Sequence, residues 1–354
     1  MRFLKTKVFV YFMVILLAST LVLTGCGQSG GKTEKDNSSQ PKEEKKKVVI
    51  KITHGVGTDS VFQHTSEKFK ELVGAYSNGQ VEVQIYPGSQ LGSAEKSVQD
   101  IQQGIIEATI ESVNNYSPFA PTFGMFDLPY LVESSEEFNK AIDAMADKLN
   151  EKITKESGLR AITWFEQGPR VLGTKTDKPI ETIDDLQGLK IRVPKNPMML
   201  GAFQSWGVNA TPIAWDETIN AVQQGVIDGL ELPYGDFYST NLYEMLKYIT
   251  EIHYKYDVGA IVVKEEWLQS QPEDIRNAII KAGKETTEWA RDFNKDFLNK
   301  AKEQMKGKVT LSPTPKDEAV WIEKAKADWP KYYDKVGGKE TVSALMDVLG
   351  KKLP

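Results

Sequence analysis

Hydrophobic positions in this chain follow two rhythms that alternate from Val48 onward. Val48 to Thr53 is a β-rich run, whereas Val61, Phe62, Phe69, Leu72, Val73 and Tyr76 recur at helical spacing up to a Ser77-Asn78-Gly79 turn. Val81, Val83 and Ile85 then alternate with Glu82 and Gln84, which predicts a second strand. A helix is expected from Ser93 to Gln103 and a third strand from Ile105 to Glu111. Strands joined by helices in this order predict an α/β fold whose parallel sheet is covered on both faces. Further on, Leu189, Ile191 and Val193 alternate with Lys190 and Arg192 until Pro194 stops the run. Arg192 is thereby placed at the carboxyl end of a strand, where open α/β sheets meet their ligands. From about Glu265 the pattern turns helical, with Trp267, Ile275, Ile279, Trp289, Phe293 and Phe297 as core candidates and Trp321 and Trp329 in a later helical stretch.

A short internal repeat extends this plan. Gln102-Gln103-Gly104-Ile105-Ile106-Glu107 returns 121 residues later as Gln223-Gln224-Gly225-Val226-Ile227-Asp228. Each copy predicts a helix ended by a left-handed glycine and followed by a strand, so two lobes of similar plan are expected. Residues equally distant from the two glycines then occupy equivalent places: Glu111 with Leu232, and Ala94 with Trp215. In lobes that face each other, these positions line opposite walls of one cleft.

The amino-terminal residues have a different character. Arg2, Lys5 and Lys7 precede an uncharged apolar run from Val8 to Leu23, so residues 1–25 read as a secretory signal. Leu23-Thr24-Gly25-Cys26 resembles the lipobox of bacterial lipoproteins, in which the cysteine receives a lipid. Cys26 is the only cysteine, which excludes an intrachain disulfide. Residues 26–47 carry too few apolar side chains to fold and read as a flexible tether lipidated at Cys26. The formal charge of −5 is the balance of +3 on the signal, +2 on the tether and −10 on residues 48–354. A body this acidic does not attract nucleic acid. Capture of an anion must rest on local arginines rather than on the field of the whole protein.

Catalytic signatures are missing or misplaced. Gly27-Gln28-Ser29-Gly30-Gly31 has the spacing of a nucleophile elbow but lies in the tether, away from any strand-to-helix turn. His54, His64 and His253 are too scattered for a metal motif, and neither a P-loop nor a Gly-x-Gly-x-x-Gly run occurs. No catalytic residue, metal or cofactor is implied.

Four segments in order carry a family resemblance: Tyr86-Pro87-Gly88-Ser89-Gln90-Leu91-Gly92, then Asp127-Leu128-Pro129-Tyr130-Leu131, then Asp185 to Pro194, then Gln223 to Glu231. Together they resemble the signatures of the DctP-type solute-binding proteins of TRAP transporters, with agreement from about Val48 to the C-terminus. The resemblance implies a two-lobed, periplasmic-binding-protein-like α/β fold with crossing strands, a long connecting helix and a ligand cleft between the lobes. On this plan residues 48–167 and 258–297 form the first lobe, and residues 168–257 and 298–354 the second.

The resemblance also implies site residues. Arg192 matches the arginine that pairs the substrate carboxylate; Arg170 matches a second arginine of sialic-acid binders, Trp215 the cleft aromatic and Glu111 an acidic contact. Where many members carry asparagine before proline, this chain has Leu232 and Pro233. An apolar wall is expected there, enlarged by Trp164, Phe165, Trp215, Tyr234 and Phe237, and suits a ligand with one carboxylate and a partly apolar or aromatic body. Glu111 as a carboxylate favours a hydroxy, sugar or amino acid over a second carboxylate. The implied function is an extracytoplasmic receptor, held to the membrane by Cys26, that delivers a carboxylate-bearing organic anion (dicarboxylate, sugar acid, keto acid or aromatic or hydroxy acid) to integral membrane TRAP subunits driven by an ion gradient. A binding protein for an ABC importer or a sensor kinase, and a lipid-anchored enzyme on the same plan, remain as alternatives.

Overall fold

In the computed structural model residues 47–354 are described; the signal, Cys26 and the tether up to Lys46 lie outside the described residues. The two rhythms become β1 (Val48–Thr53), α1 (Val61–Tyr76), β2 (Val81–Tyr86), α2 (Ala94–Gln103), β3 (Ala108–Ser112), a short α3 (Val113–Tyr116) and α4 (Ser135–Ser157). A long strand, β4 (Leu159–Thr174), leads to β5 (Lys190–Val193), α5 (Pro197–Ser205), β6 (Asn209–Pro212), α6 (Trp215–Gln223), β7 (Gly229–Pro233), α7 (Tyr234–Ser239) and β8 (Tyr248–Thr250). The chain closes with β9 (Tyr256–Lys264), α8 (Glu265–Gln269), α9 (Glu273–Met305), β10 (Thr310–Ser312), α10 (Glu318–Ala327) and α11 (Lys339–Leu349).

Two parallel half-sheets share a central antiparallel pair, in the order β2-β1-β3-β9-β4-β7-β5-β6. β1 pairs in parallel with β2 and β3, and β5 in parallel with β6 and β7. β4 runs antiparallel to β9 as far as Pro169 and then, from Arg170 to Thr174, antiparallel to β7. The register shifts between Glu166 and Pro169, where Gly168 takes φ +85°. Such a bulge bends a strand, and here it turns β4 from one half of the sheet to the other just before Arg170. At 33 residues, α9 is about 50 Å long. It packs Ile275, Ile279 and Ala282 into the core around β1, and Ala301 and Met305 into the core around β7. Gly283 is required where α9 crosses β4, since a side chain there would collide with the Ile162 carbonyl.

The repeat is a repeat of structure. Gly104 and Gly225 both have positive φ, +73° and +69°. Ile105 N donates to Asp100 O and Val226 N to Ala221 O, the same capping bond in each copy. That bond ties residue 105 to the preceding helix, so β3 starts at Ala108 and Ile105, expected in the strand, is 54% exposed. The 121-residue offset also relates the starts of α2 and α6, of β3 and β7, and of α3 and α7. A second difference concerns the carboxyl-terminal segment, expected with the second lobe. Trp321 does pack there, against Trp206, but Trp329, Val336, Val342, Leu345 and Met346 share a core with Phe138, Met145 and Leu149 of α4. The amphipathic pattern of α11 requires an apolar partner without specifying which lobe supplies it.

Candidate functional site

A cavity of about 380 Å³ opens where the carboxyl ends of β3 and β7 meet the amino ends of α2 and α6, a size and position suited to a small organic ligand. Both pairs derived from the repeat line it: Glu111 with Leu232, and Ala94 with Trp215. Trp215 bridges the cleft, its Nε1 donating to Gly55 O at 3.2 Å. A Cβ on Gly55 would lie 3.2 Å from the indole, so the glycine permits the close approach.

Arg192 and Arg170 both line the cavity and both are buried. Arg192, on β5, donates from Nε and Nη2 to Ile213 O at 3.0 and 2.8 Å. Among the described residues no carboxylate forms an ion pair with it, and no hydrogen bond uses its Nη1. Burial lowers its pKa to about 10, partly offset by the pull of Glu231, so the guanidinium stays charged at neutral pH. Arg170, just past the bulge, is saturated by contrast. It holds Glu231 through Nε and Nη2, the latter at 3.1 Å from Oε1 and 2.9 Å from the backbone O, and reaches Asp257 at 3.1 Å through Nη1. Its charge is therefore taken up inside the protein, although the side chain, as a match to the second arginine of sialic-acid binders requires, lines the cavity. The network continues through Lys255, 2.6 Å from Asp257 and 2.9 Å from Asp127, and Tyr254 donates to Glu231 at 2.9 Å. Ser112 and Gln167 complete the shell of Asp257, each donating at 2.8 Å.

Glu111 is buried, with Oε2 accepting from Asn115 Nδ2 at 3.1 Å and Oε1 without a hydrogen-bond partner. Desolvation pushes its carboxyl up to about 8, against the opposing pull of Asn115 and the Gly55 backbone. At neutral pH the group is mostly a neutral acid, which differs from the carboxylate expected. Tyr234 does not line the cavity: the turn at Pro233 buries its ring, and its hydroxyl donates to Glu251 at 3.0 Å. Three further aromatics expected in the apolar wall are core residues. Trp164 packs on Phe123, Phe165 on Phe62, and Phe237 within the cluster around β7. Sequence periodicity marks them as apolar without telling which face of β4 or α7 looks into the cleft. Leu232 and Trp215 do form apolar wall, joined by Phe62 and Phe119.

Residues 52–336 match the model of the DctP family, described as bacterial extracellular solute-binding protein, family 7. The chain belongs to this family. This solute-binding protein is 28% identical over 302 residues to the C4-dicarboxylate-binding periplasmic protein DctP of Rhodobacter capsulatus, covering 84% of this chain and 90% of that one. Its fold is similar to that of a TRAP periplasmic solute-binding protein of Rhodobacter sphaeroides, solved in an apo open form, with 39% identity and a TM-score of 0.74 over 86% of this chain and 99% of that one. The sugar acid binding protein DctPAm of Advenella mimigardefordensis, in complex with galactonate, matches with a TM-score of 0.80 at 26% identity over 86% and 98% of the two chains. The fold is thus the two-lobed α/β fold of TRAP periplasmic binding proteins, and the family consists of extracytoplasmic receptors rather than enzymes.

Two further residues of this receptor line the cavity without belonging to any motif in the sequence, Asn115 and Asp236. They are 121 residues apart, so the repeat that yielded the other two pairs marks them as well. Glu231 closes the last signature segment, and its buried carboxylate opposite Arg170 determines what that arginine can do.

Proposed function

We propose that this protein captures a carboxylate-bearing organic anion in the cavity and delivers it to a TRAP transporter driven by an ion gradient. The observation that carries this reading is Arg192: a buried, charged guanidinium on the cavity wall with no carboxylate of the described residues against it. Burying an unpaired charge is costly, and a ligand carboxylate satisfies it with charge-assisted hydrogen bonds. The two bonds to Ile213 O fix the plane of the guanidinium in advance, which reduces the ordering cost of binding. Arg170 serves as a positioning residue that holds Glu231 and Asp257. Leu232 and Trp215 give the ligand's carbon skeleton an apolar wall. The C4-dicarboxylate and galactonate named for the relatives are organic acids, which fits the same chemistry. Lipidation at Cys26 would tether the receptor outside the cytoplasmic membrane.

A thermal-shift screen of dicarboxylates, sugar acids, keto acids and aromatic acids tests the reading. An acid at a hundred times its Kd should stabilise the protein by about 2.7 kcal/mol. Stabilisation by neutral sugars or amines, with no acid active, would overturn it.

A further inference from the structure

The two lobes place the same positions around the cavity but fill them differently. In the first lobe Glu111 near the end of β3 and Asn115 in α3 bond each other at 3.1 Å. The equivalent positions of the second lobe are Leu232 near the end of β7 and Asp236 in α7. Leucine at 232 removes the polar neighbour with which a residue at 236 would share the equivalent bond. The Asp236 carboxylate consequently makes no hydrogen bond and no ion pair among the described residues, although it is only 7% exposed and lines the cavity. Arg170 acts on it at long range alone, because that guanidinium is already spent on Glu231 and Asp257. Across the cleft Glu111 Oε1 is a second buried oxygen without a partner.

We propose that Asp236, with Glu111 opposite, is a specificity-determining ligand contact that accepts hydrogen bonds from the substrate and selects monocarboxylates whose remaining polar groups are donors, hydroxyl or ammonium, over dicarboxylates. The proposal rests on reading the cavity as an organic-anion site and adds an acceptor pole to the donor pole at Arg192. Above about pH 8, where both are ionised, carboxylates on facing walls complement donors and repel a second anionic group. Their surroundings agree with this division. Burial raises Asp236 to about 7 and Glu111 to about 8, and at Glu111 Asn115 and the Gly55 backbone offset only part of the rise. At the mouth, Glu95, Asp216 and Glu217 are exposed with Lys195 the one exposed cation among the lining residues. A dianion is therefore disfavoured on approach as well.

Probes of matched length test the proposal by titration calorimetry on the wild type and Asp236→Asn: 4-hydroxybutyrate and 4-aminobutyrate against succinate, and D-gluconate against D-glucarate. At about pH 8.5, where Asp236 is ionised, the wild type should bind a hydroxy or amino member of at least one set tenfold or more tighter than its diacid, a ratio worth about one charge-assisted hydrogen bond. Preference for 4-aminobutyrate over 4-hydroxybutyrate identifies the donor as ammonium, and the reverse as hydroxyl. Asp236→Asn should bring the ratio to within about threefold. A tighter diacid, or a ratio unchanged in Asp236→Asn, overturns the role of Asp236 while leaving the organic-acid reading standing. Binding of none of the probes also overturns the proposal, and the acid screen above then decides the reading on which it rests.

Discussion

Arg170 and Arg192 are both buried, both charged and both on the wall of one cavity, yet one is finished and the other is not. Glu231 and Asp257 use nearly all of Arg170's donors, whereas Arg192 holds one backbone carbonyl and keeps a free edge. Burial and proximity to the cleft are the same; the carboxylate within contact differs. A buried arginine with its own counter-ions is part of the scaffold. One without them is, on the proposed function, an incomplete ion pair that awaits its second member.

The largest test of that division is stability. Arg170→Met leaves buried Glu231 without a counter-ion and Asp257 with Lys255 alone, and should cost about 3–5 kcal/mol in denaturant unfolding. A loss below about 1 kcal/mol would mean that the network around Arg170 is not a structural ion pair.

The same contrast separates the acids, and pH reads it out. Asp257 is fully buried, yet Lys255 and Arg170 hold it down to about 2, whereas unpaired Glu111 rises to about 8. Between Glu111's ordinary value near 4.5 and about 8, the folded state binds a proton that the unfolded state has released. Stability of the ligand-free protein should therefore fall as pH rises through this window and level off above it. Asp236, raised to about 7, contributes in the same direction over the lower part of the range. Asp257 works oppositely: its contribution is present above its ordinary value of 3.8 and is lost as pH falls toward 2. Denaturant midpoints measured from pH 5 to 9 should decline for the wild type and decline less for Glu111→Gln. An identical slope in the variant would mean that Glu111 is not held neutral.

Much of this was legible in the sequence because it depended on local pattern. The alternation around Arg192 located a strand end, and six repeated residues gave an offset that placed Glu111, Leu232, Ala94 and Trp215 on one cavity. What stayed hidden depended on partners distant in the chain. Arg170 meets Glu231 sixty-one residues away, and nothing near either residue announces the pair. Tyr234 and Phe237 look like cleft aromatics until the turn at Pro233 directs them into the core. The neighbour of the carboxyl-terminal helix is hidden for a related reason: its apolar face fits either lobe, and only the tertiary path brings it to α4. Asp236 stands between the two cases, because the 121-residue offset from Asn115 marks its position while its lack of a partner appears only in the fold.

The proposed role of Arg192 is to supply the missing half of an ion pair with the ligand. Its most direct test is titration calorimetry of the tightest acid from the screen against the wild type and Arg192→Ala, with unfolding curves of both. Loss of a desolvated charge pair is worth about 2–5 kcal/mol, so affinity should drop by roughly a hundredfold or more while the unfolding midpoint stays close to that of the wild type. Unchanged affinity in a folded Arg192→Ala protein would contradict the account.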